Sequence, residues 1–204
     1  MHKILCTGNP NDSTLAKGIK EVFPDADFIH LSVGYDLTTE QGLEKFKNKI
    51  RDYNVFINSS RIADGVQCSL LTIARQEWSE GHVFNIGSIL ENDFFEWFSP
   101  DDAKDKKKLR QLSLDLSSDK FKTTHIVTGG FVDRSPHAHL KMNPSNIANA
   151  IKWILEAKDF YVPIIGVEND HWIKKENAPF GDWHELKANS LKDLNRNYEL
   201  FRKL

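Results

Sequence analysis

Residues 3 to 19 read Lys3-Ile4-Leu5-Cys6-Thr7-Gly8-Asn9-Pro10-Asn11-Asp12-Ser13-Thr14-Leu15-Ala16-Lys17-Gly18-Ile19. A short apolar run gives way to a glycine, then to polar and turn-forming residues, then to a segment with helical spacing. In an open α/β sheet this is where the backbone turns sharply and a helix start aims its N–H groups and positive dipole end at a phosphate. Asn11, Asp12, Ser13 and Thr14 can each equally cap the helix with no ligand present. The stretch by itself supports both uses.

The same alternation continues downstream. Short apolar runs at Lys3 to Thr7, Asp27 to Leu31, Asn54 to Asn58, His82 to Ile86, Thr124 to Thr128 and Tyr161 to Val167 read as strands. Amphipathic segments at Thr14 to Val22, Thr39 to Arg51, Val66 to Trp78, Ala103 to Leu116 and Pro144 to Ala157 read as helices between them. Leu109, Leu112 and Leu116, for example, fall on one side of the fourth helix. Strands buried on both faces and joined by helical crossovers predict a parallel sheet with helices on each side.

Length and composition agree with one domain. The chain has 204 residues, 40% hydrophobic and 27% charged, with a net charge of -2. It is long enough to bury roughly 70% of its unfolded surface without disulfide or metal. Its two cysteines, Cys6 and Cys68, have no metal-site spacing and read as reduced packing residues. The start of the chain lacks the apolar region of a signal peptide, and no stretch reaches the ~20 apolar residues of a membrane span, so a cytoplasmic protein is expected. The charge balance gives no long-range attraction for nucleic acid or an anionic membrane. Residues 168 to 204 are polar but rich in aromatics, including Trp172, Phe180, Trp183 and Tyr198, and are expected to be an extension that wraps this domain or a sister subunit, with a partner-binding arm as the alternative.

Five motifs in order carry a resemblance: Thr7-Gly8 after the first strand, Asp36-Leu37-Thr38 before a helix, Asn58-Ser59-Ser60, Asn85-Ile86-Gly87-Ser88, and Gly129-Gly130-Phe131-Val132. Over about residues 3 to 167 the chain resembles the short-chain dehydrogenase/reductase family. The resemblance implies a Rossmann-like, doubly wound α/β sheet that binds NAD or NADP, and an oxidoreductase acting on a small molecule. It assigns cofactor contact to Gly8, Asn9, Thr14, Ser32, Asp36, Asn58, Ser59, Ser60, Lys106 and Gly130, with Asp36 at the adenine amino group. It places the substrate-holding serine at Ser88 and the lysine at Lys106.

Departures from the family pattern are equally specific. Asp12 and Thr14 stand where the second and third glycines of the first loop belong, and a carboxylate at Asp12 repels phosphate. Gly8, Thr14 and Ala16 instead match the divergent loop of enoyl reductases, in which a hydroxyl meets the pyrophosphate. At the end of the second strand His30, Leu31 and Ser32 choose neither NAD nor NADP, and the absence of any cofactor is also open. The family's tyrosine, four residues before the lysine, is replaced by Asp102. An aspartate paired with a lysine is held ionised and is not expected to donate a proton as a phenol does. Ser88 can also be read as a strand-end cap and Lys106 as a solvated helix charge. The segment between Ser60 and Val66 is short and lacks the family's active-site asparagine; Asp64 and Gln67 are the nearest polar substitutes.

Two readings follow. The first is an NAD(P)-binding oxidoreductase with a degenerate active site; the second is a catalytically silent nucleotide-binding or assembly protein on the same fold. His137 and His139 lack a third ligand at metal spacing, so no metal is expected. Phe94, Phe95, Trp97 and Phe98 are expected in the core or in a lid. The resemblance implies self-association, as a homodimer or larger, through the helices Val66 to Trp78 and Ala103 to Leu116, and the apolar surplus of Leu70, Leu71, Ile73 and Ala74 on the first of them predicts a second partner for it.

Overall fold

A computed structural model of the chain describes residues 2–59, 65–88, 91, 100–128, 143–157 and 161–167, without the side chains of Pro100 and Asp102. They lie in the first of two units, Met1–Glu168; the second, Asn169–Leu204, falls outside the described residues.

Strands β1 (Ile4–Thr7), β2 (Asp27–Ile29), β3 (Val55–Asn58), β4 (Gly81–Ile86), β5 (Phe121–Thr128) and β6 (Ile164–Val167) form one parallel sheet in the order β2-β1-β3-β4-β5-β6. The connecting helices are α1 (Thr14–Val22), α2 (Glu40–Ile50), α3 (Val66–Glu77), α4 (Pro100–Leu116) and α5 (Ser145–Glu156). Every residue of β1 and β3 is buried, which explains their unbroken apolar character. Alternate strand residues serve two cores. Ile4, Cys6, Ile57, Phe84 and Ile126 pack with α1 and α5. Leu5, Phe56, Val83 and Phe121 pack with α2, α3 and α4. The fold is therefore the doubly wound, Rossmann-like α/β sheet expected from the sequence.

Three boundaries differ from the sequence reading. β2 stops at Ile29 because Leu31–Val33 form a 3-10 turn closed by Gly34. β6 starts after Pro163, which has no N–H for a sheet ladder. β5 extends back to Phe121, whose fully buried ring anchors a stretch otherwise polar in sequence. The usual dinucleotide order, 3-2-1-4-5-6, carries a further strand outside the second one; among the described residues β2 is the edge.

The packing of α3 corrects one argument. Leu70, Leu71 and Ala74 are fully buried, because α3 lies between α2 and α4 as well as on the sheet. Of the apolar surplus read as a second interface, these three side chains are thus consumed inside the subunit and Ile73 is half-buried, while Ser69, Arg75 and Gln76 face solvent.

Candidate functional site

β2 lies on one side of β1 and β3 on the other, so the chain reverses its winding between β1 and β3. In open α/β sheets the crevice at such a point, beyond the carboxyl ends of the strands, is where ligands bind. Here the two ends are tied together: the Ser59 amide donates to Thr7 Oγ1 at 2.8 Å, and the Ser59 hydroxyl donates to the Thr7 carbonyl. Cys6 lies beneath them, and burial pushes its thiol up to about 12, so it is no nucleophile.

Gly8 opens the first turn with φ of 116°, a conformation costly for any residue with a Cβ. A Cβ there would also meet Ala16 Cβ at 3.3 Å and Ser59 Oγ at 3.7 Å. The loop beyond it folds onto Asn9. The Asn9 carbonyl accepts from the amides of Asp12 (3.1 Å) and Ser13 (2.7 Å), and Asn9 Oδ1 accepts from the amide of Asn11 (3.0 Å). Ser13 is the N-cap, its hydroxyl accepting from the Ala16 amide. Thr14 is the first residue of α1 and its side chain is exposed. With the amides of Gly8, Asn11, Asp12 and Ser13 committed internally, an anion can use the outward N–H groups of the helix start and the Thr14 hydroxyl.

At the neighbouring corner, Asn9 Nδ2 donates both to the Asp12 carboxylate and to Ser32 Oγ (3.4 Å). Ser32 Oγ lies 2.8 Å from His30 Nδ1. Asp36 serves its own turn: its Oδ1 accepts from the hydroxyl (2.6 Å) and the amide (3.1 Å) of Thr38, and these bonds hold its carboxyl below the usual carboxylate range.

The third part of the site is a buried polar network. Asn58 Nδ2 donates to the Gln67 carbonyl and to Asn85 Oδ1, both at 2.9 Å. Gln67 Nε2 donates to the carbonyls of Asn58 (2.6 Å) and Ile86 (3.2 Å). Its Oε1 accepts from the ammonium of Lys106, which also donates to the Ile86 carbonyl at 2.9 Å. Lys106 thus has its charge at the ends of β3 and β4, in a half-buried setting unlike that of a solvated helix lysine. Among the described residues, Asn58 Oδ1 is buried without a hydrogen-bond partner, so it can accept from an ordered water or a ligand donor.

Sequence reasoning missed a second buried cluster. Glu91 and His125 are both 0% exposed, and His125 Nε2 lies 3.0 Å from each carboxylate oxygen. Arg110 Nε stands 3.8 Å from Glu91 Oε2. The Ser88 amide donates to Glu91 Oε1 at 3.3 Å, and the Glu91 amide donates back to the Ser88 carbonyl at 3.0 Å. Gly87 makes room for the pair, since a Cβ on it would lie 2.3 Å from His125 Nε2. Nothing in the spacing of Glu91 and His125 marks them; only the adjacency of β4 and β5 does.

The structure therefore gathers Gly8, Asn9, Thr14 and Ser32 along one rim, Asn58 and Ser59 at the centre, and Ser88 and Lys106 on the β4 side of the same strand ends. Asp102 lies one helical turn before Lys106 on α4. Ser60, Asp64, Phe94, Phe95, Trp97, Phe98, Gly129, Gly130, His137, His139 and the tail from residue 168 fall outside the described residues. Among the described residues no metal-binding group of His, Cys, Asp and Glu occurs, and no helix is long and apolar enough to cross a membrane.

No family model and no curated protein matches the chain. Solved structures do. Glucose dehydrogenase of Caenorhabditis elegans superposes with a TM-score of 0.65 at 14% identity, over 84% of this chain and 98% of that one. A short-chain dehydrogenase of Leptospira borgpetersenii with bound NAD+ gives 0.64 at 10%, over 82% and 92%. Another from Burkholderia cenocepacia, in complex with NADP, gives 0.58 at 12%, over 84% and 90%.

The chain has the short-chain dehydrogenase/reductase fold. Within that fold the first rim fits a dinucleotide through a helix start and a hydroxyl, with Gly8 leaving space where a side chain would intrude. It does not offer the amides of Asn11, Asp12 and Ser13, because Asn9 holds them.

Proposed function

We propose that this chain binds a nicotinamide dinucleotide across the carboxyl ends of β1 and β3 and is a short-chain oxidoreductase with an altered active site. The position of Lys106 carries the reading: the Ile86 carbonyl and Gln67 hold its ammonium at the ends of β3 and β4, which supports the role at the cofactor ribose that the family resemblance implies. In this reading Thr14 and the start of α1 face the pyrophosphate, Asp36 the adenine, and Asn58 and Ser59 the centre of the crevice, with Ser60 and Gly130 as the further cofactor contacts that the family resemblance implies. Ser88 holds the oxygen of a small-molecule substrate. A bound nicotinamide supplies hydride transfer.

Asp102 replaces the proton donor. An aspartate one helical turn before a lysine is favoured in its ionised form, which does not donate a proton as a phenol does. Asp102→Ala should therefore leave any carbonyl reduction within a few-fold of wild type, whereas removing a working general acid costs about 100-fold or more.

The second reading, a catalytically silent nucleotide binder or assembly protein in the cytoplasm, draws on the tyrosines. Tyr53 donates to Asp27, and Tyr161 donates to the Thr123 carbonyl, both toward the amino ends of the strands. Neither replaces the missing phenol.

A titration with NADH and NADPH, followed by fluorescence or thermal shift, tests the proposal. Binding is expected, and Thr14→Glu should abolish it while folding persists, since an acidic residue in the first turn of a helix is favourable in itself. No binding of either nucleotide rejects the proposal. Binding without turnover on any carbonyl substrate favours the silent reading.

A further inference from the structure

The glycine loop and the end of β2 together bear on which form of the dinucleotide the crevice takes. Discrimination between NAD and NADP rests on the charge beside the adenosine ribose: an acidic side chain accepts from the 2′-hydroxyl, whereas a 2′-phosphate needs a nearby cation. β2 ends in His30, Leu31 and Ser32, with no acid. The structure supplies one from another element. One amide nitrogen, Asn9 Nδ2, bridges the Asp12 carboxylate to Ser32 Oγ, and Ser32 joins His30. Asp12 is thereby drawn to the gap between the β1 and β2 ends.

That tether answers the objection the sequence raised. Asp12 stands where a glycine would approach the pyrophosphate, and a carboxylate there opposes binding. Asn9 instead directs the carboxylate toward the β2 side, while Thr14 and the helix start remain exposed. Lys45, a cation of the same region, donates its ammonium to the Gly34 carbonyl at 3.0 Å, at the far end of the 3-10 turn. The corner made by Asn9, Asp12, Ser32 and His30 contributes a negative charge with hydroxyl and amide partners.

We propose that Asp12, tethered by Asn9 to the Ser32–His30 corner, selects an unphosphorylated adenosine ribose, so that the crevice takes NAD(H) and rejects NADP(H). This rests on the nucleotide-binding reading above. It places the selecting acid in the first loop, where the end of β2 lacks one.

Equilibrium titrations of the full chain with NADH and NADPH at one ionic strength give the test. The wild type should bind NADH at least tenfold more tightly than NADPH. Asp12→Lys should move the ratio of the two affinities at least tenfold toward NADPH, and Asp12→Asn should move it in the same direction. A ratio is insensitive to a general loss of folding, since both nucleotides are measured on the same preparation. Equal affinities in the wild type, or a ratio unchanged in Asp12→Lys, would overturn this inference alone. Failure of the wild type to bind either nucleotide would overturn the nucleotide-binding reading and this inference with it.

Discussion

The ammonium of Lys106 lies 2.9 Å from the carbonyl oxygen of Ile86, the last residue of β4. A helix charge is thereby fastened to the end of a strand, with Gln67 of α3 as the second acceptor. α3, α4 and the ends of β3 and β4 meet at this one cation, and the arrangement has measurable consequences.

Gln67→Leu removes one of the acceptors of Lys106 and a donor to the Asn58 and Ile86 carbonyls. Each buried polar group left unpaired costs about 1–3 kcal/mol, so the variant should lose at least that much stability. It should also weaken nucleotide binding, because Lys106 loses its fixed position. Lys106→Met should weaken binding by about tenfold, the worth of one charge-assisted hydrogen bond. Chemical denaturation and titration on the same samples decide; a Gln67→Leu protein with wild-type stability and affinity would contradict the network.

Glu91 and His125 depend on each other. Removing the Glu91 carboxylate leaves the buried His125 ring and the Ser88 amide without an acceptor, and each buried polar group so stranded typically costs about 1–3 kcal/mol. Glu91→Ala should fall in that range by urea unfolding, and Glu91→Gln, which keeps an acceptor for the Ser88 amide, should cost less. A midpoint for Glu91→Ala within about 1 kcal/mol of wild type would show that the pair does not hold the Ser88 corner.

His82 makes stability depend on acid. Burial first, then the positive charges of Lys122 and His2, push its pKa down to about 3 from the usual 6.5. Between those values the unfolded chain binds a proton that the folded chain refuses. Its contribution is complete above pH 6.5 and is lost as the pH falls toward 3, at up to about 1.4 kcal/mol per pH unit. Comparing urea midpoints of wild type and His82→Gln across that window should show the steeper acid loss in wild type. Parallel profiles would assign the acid sensitivity elsewhere.

Leu70→Glu should unfold the chain instead of dissociating it, because Leu70 is fully buried in its own subunit. Far-ultraviolet circular dichroism reads that outcome directly. The expected self-association through α3 and α4 then has to use outward residues such as Ser69 and Gln76. Sedimentation of folded Ser69→Arg against wild type tests it, and a wild-type species of 23.4 kDa alone would remove the proposal.

The elements and their alternation were legible in the sequence because periodicity is local: β1 and β3 are buried on both faces and read as unbroken apolar runs, and Ser13 stands where a cap belongs. The first loop was legible too, down to the odd presence of Asp12 and Thr14. Tertiary structure alone decided what those residues meet. Gln67 and Lys106 are 39 residues apart, and Glu91 and His125 34 apart, and only the parallel pairing of β3, β4 and β5 brings each pair together. Leu70 and Leu71 looked like surplus until α3 was seen to lie between two helices. Asp12 looked hostile to any phosphate until Asn9 was seen to draw it toward Ser32. Local pattern sets which way a side chain alternates, whereas its partner is set by strand order and register, and these belong to the whole sheet.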